Sequence, residues 1–253
     1  MTLDKRSRPE NNSSPSISEL VLMDASTLSE AIRMRQVACR EVMSHFLDHI
    51  DGFNHKINAI INLQAREDLL YQASVRDQQL EKGQYLGWMH GFPHAVKDLA
   101  RVRGIPMTMG SPILKEFVPE VDEIFVERIK KAGAIIIGKT NVPEFGLGSQ
   151  SYNPVFGATS NAYDFSRTAG GSSGGAASAL ALRMLPVADG SDMMGSLRNP
   201  GAFNNVYGFR PSFGRVPVGD SPEIFLNQLA CDGPMGRTVT DVAMLLSVQA
   251  GYD

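Results

Sequence analysis

Apolar residues recur at helical spacing in the first third of the chain and in short blocks after it. Val42, Phe46 and Ile50 stand four apart, with Met43 and Leu47 beside them, which predicts a helix over 39–53 with one buried face. Upstream, Thr27 and Glu30 form a T-x-x-E pair that predicts a helix opened by Thr27 and running to about Arg35. Downstream, a short strand is expected over 59–63. A charged helix follows from Ala65 to about Lys82, closed by Gly83.

From Gly87 the texture changes. Phe92–Val96, Ala134–Ile137 and Leu185–Ala188 are apolar runs between glycine- and proline-rich loops, and they read as buried strands. Residues 122–132, DEIFVERIKKA, put acids first and lysines last, as a helix dipole favours. Residues 176–182 read as a small-residue helix. Thr238–Ala250 reads as an amphipathic one with Val242, Leu245 and Leu246 inward. Strand–helix–strand alternation predicts an α/β fold. The first twenty residues, rich in serine with Pro and Asn, read as a flexible leader, which leaves 21–253 as a single folded domain.

Charge and cysteine count narrow the function classes. The 24 basic and 27 acidic side chains leave a net charge of −3, so no basic footprint for nucleic acid is present. No apolar stretch reaches the ~18–20 residues that cross a bilayer, so no membrane partner is expected. Cys39 and Cys231 cannot staple a secreted mini-domain and read as free thiols of a cytoplasmic protein.

Two motifs match by spelling but fail on physics. Residues 133–140, GAIIIGKT, fit the phosphate-loop expression, yet their interior is a core strand whose N–H groups belong to a sheet. The simpler reading is a strand with Lys139 at its exit. Residues 170–174, GGSSG, fit the nucleophile elbow G-x-S-x-G. All five histidines (His45, His49, His55, His90, His94) precede it, so a Ser…Asp…His order is excluded. Their spacing is also no metal motif, and neither a metal nor a cofactor is expected.

A serine nucleophile without histidine needs another base, and a buried lysine can serve when it loses its proton. Lys97 ends the apolar run of GFPHAVKD (91–98). The competing reading pairs it with Asp98 as a strand-end lysine reaching for solvent. A second piece, Ser172 and Ser173 among four glycines, leads straight into a helix. A third, DGSDMMGSLRNP (189–200), places Gly195 before Ser196, where a sharp turn would expose the hydroxyl and aim backbone N–H groups inward. Asp192 is placed to fix that loop and Arg198 to pair with a carboxylate behind it.

Together these pieces resemble the amidase signature family. The matching stretches are 91–98, GAIIIGKTNVPEFG (133–146), GGSSGGAASALA (170–181) and the run 189–217, with Ser196 following 24 positions after Ser172. The resemblance implies an α/β/α sandwich around a mixed sheet. It also implies a Ser–cis-Ser–Lys triad: Lys97 as base, Ser172 as the bridging serine after a cis peptide, and Ser196 as the nucleophile that becomes the acyl-enzyme. Oxyanion donors would come from Met193, Met194, Gly195 and Ser196, with Ser173, Asp192 and Arg198 in support. Met194 and Gly201 stand where the family usually has glycine and alanine. Methionine there would fill space near the acyl site, and Gly201 is expected to matter little.

The implied activity is hydrolysis of a small-molecule carboxylic amide to acid and ammonia or amine, with a homodimer as the candidate assembly. Family members run to about twice this length, so the resemblance also implies a domain truncated at its C-terminal side and a sheet left incomplete. Two alternatives stand beside it. One is the glutaminase subunit of a tRNA-dependent amidotransferase, which residues 219–234 do not favour. The other is an inactive fragment or interaction remnant.

Overall fold

The computed structural model describes residues 17–219 and 228–252. Most of the expected leader (1–16) and residues 220–227 of the 219–234 segment lie outside them.

Helices come first. A single turn, α1 (Glu19–Leu22), starts inside the last residues of the expected leader and buries Val21. Helix α2 spans Ala25–Arg33 and is capped by Asp24, whose carboxylate accepts the Thr27 N–H at 2.7 Å. Thr27 is therefore inside the helix, and the cap sits three residues earlier than the T-x-x-E pair suggests, because Asp24 is itself a strong N-cap residue. Helix α3 (Cys39–Ile57) runs a turn beyond the expected Phe53 and ends on Asn58 in the left-handed region. Its predicted face is buried, with Val42, Met43, Phe46, Leu47 and Ile50 all inside. Each such side chain contributes about 1.5–3 kcal/mol on leaving water. Helix α4 (Arg66–Glu81) packs on α3 and gives way to Gly83 at φ 76°, as expected.

Strands β1 (Ile60–Ile61), β2 (Pro93–Lys97) and β3 (Ile135–Thr140) form a mixed sheet in the order β1-β3-β2. β2 is parallel to β3, and α5 (Ile124–Lys131) makes the crossover. β3 is longer than expected: Lys139 lies inside it and is fully buried, not at an exit. A bulge after His94 skips Ile137 in the pairing. A two-stranded ribbon follows, β4 (Tyr152–Asn153) with β5 (Gly157–Ala158).

Helix α6 (Gly174–Ala181) leads to β6 (Ala188–Asp192), which begins where the expected 185–188 strand ends. The polar DGSD run is thus strand, held because it pairs residue for residue with β8 (Cys231–Gly236). Between them lie α7 (Arg198–Phe203) and β7 (Tyr207–Gly208), and the second sheet runs β6-β8-β7, all antiparallel. Helix α8 (Val239–Gln249), capped by Thr238, packs on β8 and α5. Buried Asp241 of α8 accepts the Ala25 N–H at 3.0 Å and ties the two ends of the chain together. The α/β fold around a mixed sheet is as expected, and among the described residues an antiparallel sheet adjoins it, with β2 of one packed against β6 of the other.

Candidate active site

That β2–β6 seam carries the candidate chemistry. Lys97 is the last residue of β2 and is 1% exposed. Its Nζ lies 2.7 Å from Ser172 Oγ, 2.8 Å from Ser173 Oγ, 2.9 Å from Ser191 Oγ and 3.4 Å from the Ser191 carbonyl. Three hydroxyls suit both protonation states: an ammonium donates to them, and a neutral amine donates to two while accepting from one. Burial pushes the lysine down to about 7, against the pull of the carboxylates of Asp232, Asp189 and Asp192.

The alternative pairing of Lys97 with Asp98 is not what the chain does. Asp98 turns the other way, accepting from Thr108 N and Oγ1 at 3.2 and 2.7 Å and lying 3.8 Å from Lys139 Nζ. Lys139, the false phosphate-loop lysine, also donates to the Ala100 carbonyl. Burial lowers it to about 8 and raises Asp98. It is a core ion pair under the strand that presents Lys97.

The serine loop is brought down on Lys97 by close backbone approach. A Cβ at Gly175 would lie 2.4 Å from Asn141 N and 2.6 Å from Ala59 O, so only glycine lets α6 start directly on the β1–β3 edge. A Cβ at Gly190 would lie 2.7 Å from Ser173 Oγ, so β6 too needs glycine where it passes the loop. The Gly171–Ser172 peptide is cis. Ser173 supports the cage twice, accepting from Ser191 N and donating to Ser191 O, both at 3.3 Å.

Loop 192–198 is organised by Asp192, whose side chain is fully buried. It accepts from Gly195 N at 2.7 Å, Leu197 N at 3.2 Å, Arg198 Nε and Nη2 at 3.0 and 3.1 Å, and Arg210 Nη1 at 3.1 Å. Burial pushes its carboxyl up, but the hydrogen bonds from Arg198, Gly195 and Leu197 outweigh that and hold it well below the usual range. Asp192 thus binds both the loop backbone and the Arg198 guanidinium.

The same geometry corrects the oxyanion expectation. The Gly195 N–H is spent on Asp192, so it is not a donor to substrate. The N–H groups of Met193, Met194 and Ser196 enter no hydrogen bond among the described residues. Gly195 at φ 114° makes the sharp turn before Ser196, which is part-exposed. Met194 is 84% exposed, so it fills no space here. Ser196 Oγ makes no hydrogen bond among the described residues. Its contact with the serine loop is through its carbonyl, which accepts the Ser173 N–H at 3.2 Å. Lys97, Ser172 and Ser173 are thus assembled, while the Ser172–Ser196 hydroxyl contact is not made.

Sequence reasoning passed over Asp189, Ser191 and Arg210. Asp189 accepts the Lys97 N–H at 3.0 Å and pairs with buried His94 Nε2 at 2.9 Å. With Ser191 two residues on, it shares one side of β6, a period-two signal. Gly201 also matters more than expected, since a Cβ there would meet Val206 O at 3.0 Å and Gly208 N at 3.1 Å. No group of three or more His, Cys, Asp or Glu among the described residues is arranged to hold a metal ion.

Comparison with known proteins places this geometry in a family. Residues 41–253 match the Amidase family model. The glutamyl-tRNA(Gln) amidotransferase A subunit of Coxiella burnetii (strain RSA 493 / Nine Mile phase I) is 40% identical over 226 residues, which are 89% of this chain and 46% of that protein. A bacterial aryl acylamidase of the amidase signature family superposes with a TM-score of 0.88 at 33% identity, covering 93% of this chain and 49% of that one. The peptide amidase of Stenotrophomonas maltophilia superposes at 0.84 and 32% identity, covering 91% of this chain and 48% of its own. The chain spans about half the length of the relatives it matches. With a family match running from α3 to its last residue, and with solved amidase-signature enzymes sharing its fold, the chain belongs to the amidase family.

Proposed function

We propose that this chain carries the nucleophile and proton relay of an amide hydrolase, with Ser196 as nucleophile, Ser172 as bridging serine and Lys97 as base. The observation that carries the reading is the buried Lys97 amine, brought down to about 7 and set 2.7 Å from Ser172 Oγ. A lysine in that range is half-deprotonated at neutral pH, near the optimum for a general base.

The steps balance as follows. Neutral Lys97 takes the Ser172 proton as Ser172 takes that of Ser196, and Ser196 Oγ bonds to the amide carbonyl carbon. The carbonyl π pair moves to oxygen, which the N–H groups of Met193, Met194 and Ser196, unpaired among the described residues, would receive. One well-placed donor of this kind is worth about 3–4 kcal/mol. Collapse breaks the C–N bond, and the Lys97 proton returns through Ser172 to the leaving amine. Water then repeats the cycle on the ester and releases the acid. The relay requires Ser196 Oγ to come within reach of Ser172 Oγ, a contact of the kind that often tightens only when substrate is bound. The substrate class is a carboxylic amide, and the free thiols of Cys39 and Cys231 fit a cytoplasmic setting.

A second reading is a glutaminase component working with partner proteins, favoured by identities of 36–40% to the amidotransferase relatives. Labelling with a fluorophosphonate tests the first reading: an adduct on the chain that Ser196→Ala abolishes supports it, and no adduct supports a silent protein. Glutamine hydrolysis by the chain with a tightly co-purifying partner would favour the second.

A further inference from the structure

We infer that Asp232 is a positioning residue for Lys97, a counter-charge across the β6–β8 ladder that holds the proton on the lysine amine. The inference rests on the reading of Lys97 as the base.

The geometry comes from strand register. Ser191 of β6 stands directly opposite Asp232 of β8. Directly opposed residues of an antiparallel pair project to the same face, with Cβ atoms about 4.5–5.5 Å apart. Ser191 Oγ accepts from Lys97 Nζ at 2.9 Å. The Asp232 side chain therefore belongs to the face on which the lysine amine lies.

Three carboxylates act on the charge of that amine, and two of them are committed. Asp189 is bound to His94 and to the Lys97 backbone N–H. Asp192 is bound to Arg198 and Arg210 and to the loop backbone. Asp232 accepts no hydrogen bond among the described residues. It is the carboxylate left to answer the charge on Lys97, and its influence on the lysine comes ahead of those of Asp189 and Asp192. The other groups around the pair are the hydroxyls of Ser172, Ser173 and Ser191, the buried Cys231 thiol beside Asp232 and, in the wider field of Asp232, Glu123. Asp232 keeps part of its surface exposed, yet the protein around its carboxyl and the nearby Asp189 push it up to about 7. Asp232 raises the Lys97 amine and Lys97 lowers the Asp232 carboxyl, so each favours the charged form of the other.

The role in the relay follows. When Lys97 accepts the Ser172 proton, an ammonium forms in a buried cage. The Asp232 carboxylate stabilises it without taking the proton, which stays on Nζ until it returns to the leaving amine. An amide in place of the carboxylate leaves Lys97 a weaker base that loses its proton at lower pH.

The test uses the full chain with ¹³Cε-labelled lysine, the Lys97 signal being assigned by its absence in Lys97→Met. In Asp232→Asn the Lys97 midpoint should fall by about one pH unit or more. Asp232→Glu, which keeps the charge, should hold it near the wild-type value. The acid limb of Ser196 labelling should fall with the midpoint, and its plateau rate should drop several-fold. An unmoved Lys97 midpoint in Asp232→Asn overturns the inference. If the midpoint moves while labelling ignores it, the Asp232–Lys97 pair stands and the base reading fails. Should Asp232→Asn not fold, the reciprocal measurement decides: the Asp232 ¹³Cγ midpoint should rise in Lys97→Met, and an unchanged midpoint overturns the inference.

Discussion

Asp192→Asn removes one charge and almost no volume. In the wild type the carboxylate takes five donors from Gly195, Leu197, Arg198 and Arg210. Asparagine offers one oxygen, and its NH₂ must face donors that the second carboxylate oxygen now satisfies. The Arg198 side chain is 56% exposed, so its two bonds are partly replaced by water and count for little. The buried bonds to Gly195 and Leu197 and the half-buried Arg210 remain, each a charge-assisted bond worth about 1.5–3 kcal/mol. Allowing for relaxation, the expected loss is about 3–5 kcal/mol, the range for breaking a buried charge pair. At about 2–4 °C per kcal/mol for a chain of this size, Tm should fall by roughly 6–20 °C. The effect should depend on pH. The folded-state carboxyl lies below its ordinary value, so its contribution is full above about pH 4 and is lost as pH falls through the folded value. Thermal melts of wild type and variant from pH 3 to 8 should therefore draw closer at the acid end without meeting. Fluorophosphonate labelling of Ser196 should also slow by about 100-fold, because loop 193–196 loses its anchor. Equal Tm values at pH 7 together with unchanged labelling would refute the view that Asp192 organises the loop.

Two further substitutions probe the scaffold and the base. Gly175→Ala drives a Cβ into three backbone atoms at 2.4–2.7 Å, and it should cost about 1–3 kcal/mol in denaturant melts and slow labelling by shifting Ser172. Gly104→Ala, with nothing within 4 Å but a left-handed φ, should cost less and leave labelling unchanged. Lys97→Met should abolish labelling. It should also make the protein more stable relative to wild type below pH 7, by a few kcal/mol, because the native state must otherwise hold a lysine brought down from 10.5 to about 7. That advantage should fade as pH rises from 7 to 10.5, since the unfolded lysine then loses its proton as well. A pH-independent difference would contradict the assignment.

Periodicity carried the helices. The four-residue spacing of Val42, Phe46 and Ile50 and the closing glycine at Gly83 are local signals, and the structure keeps them. Boundaries moved where a tertiary partner took over. β3 runs on through Lys139 because Asp98 and the Ala100 carbonyl receive the ammonium, a pairing that no window of sequence reveals. DGSD became strand because β8, some forty residues away, supplies its ladder. Lys97, Ser172, Ser173, Asp192 and Arg198 were legible because their motifs are compact. Asp189, Ser191, Arg210 and Asp232 were not, since each gains its role only when β2, β6 and β8 meet. The loss of the Gly195 N–H to Asp192 was equally hidden, being a matter of which way one donor points.

The central claim is that a neutral, buried Lys97 activates Ser196 through Ser172. It is tested most directly by the rate of fluorophosphonate labelling as a function of pH, with the adduct located by peptide mass spectrometry. The account predicts an adduct on Ser196 whose formation rate rises through a single proton loss near pH 7, the value to which burial brings Lys97. An adduct on another residue, or a rate indifferent to pH between 5 and 9, would contradict it.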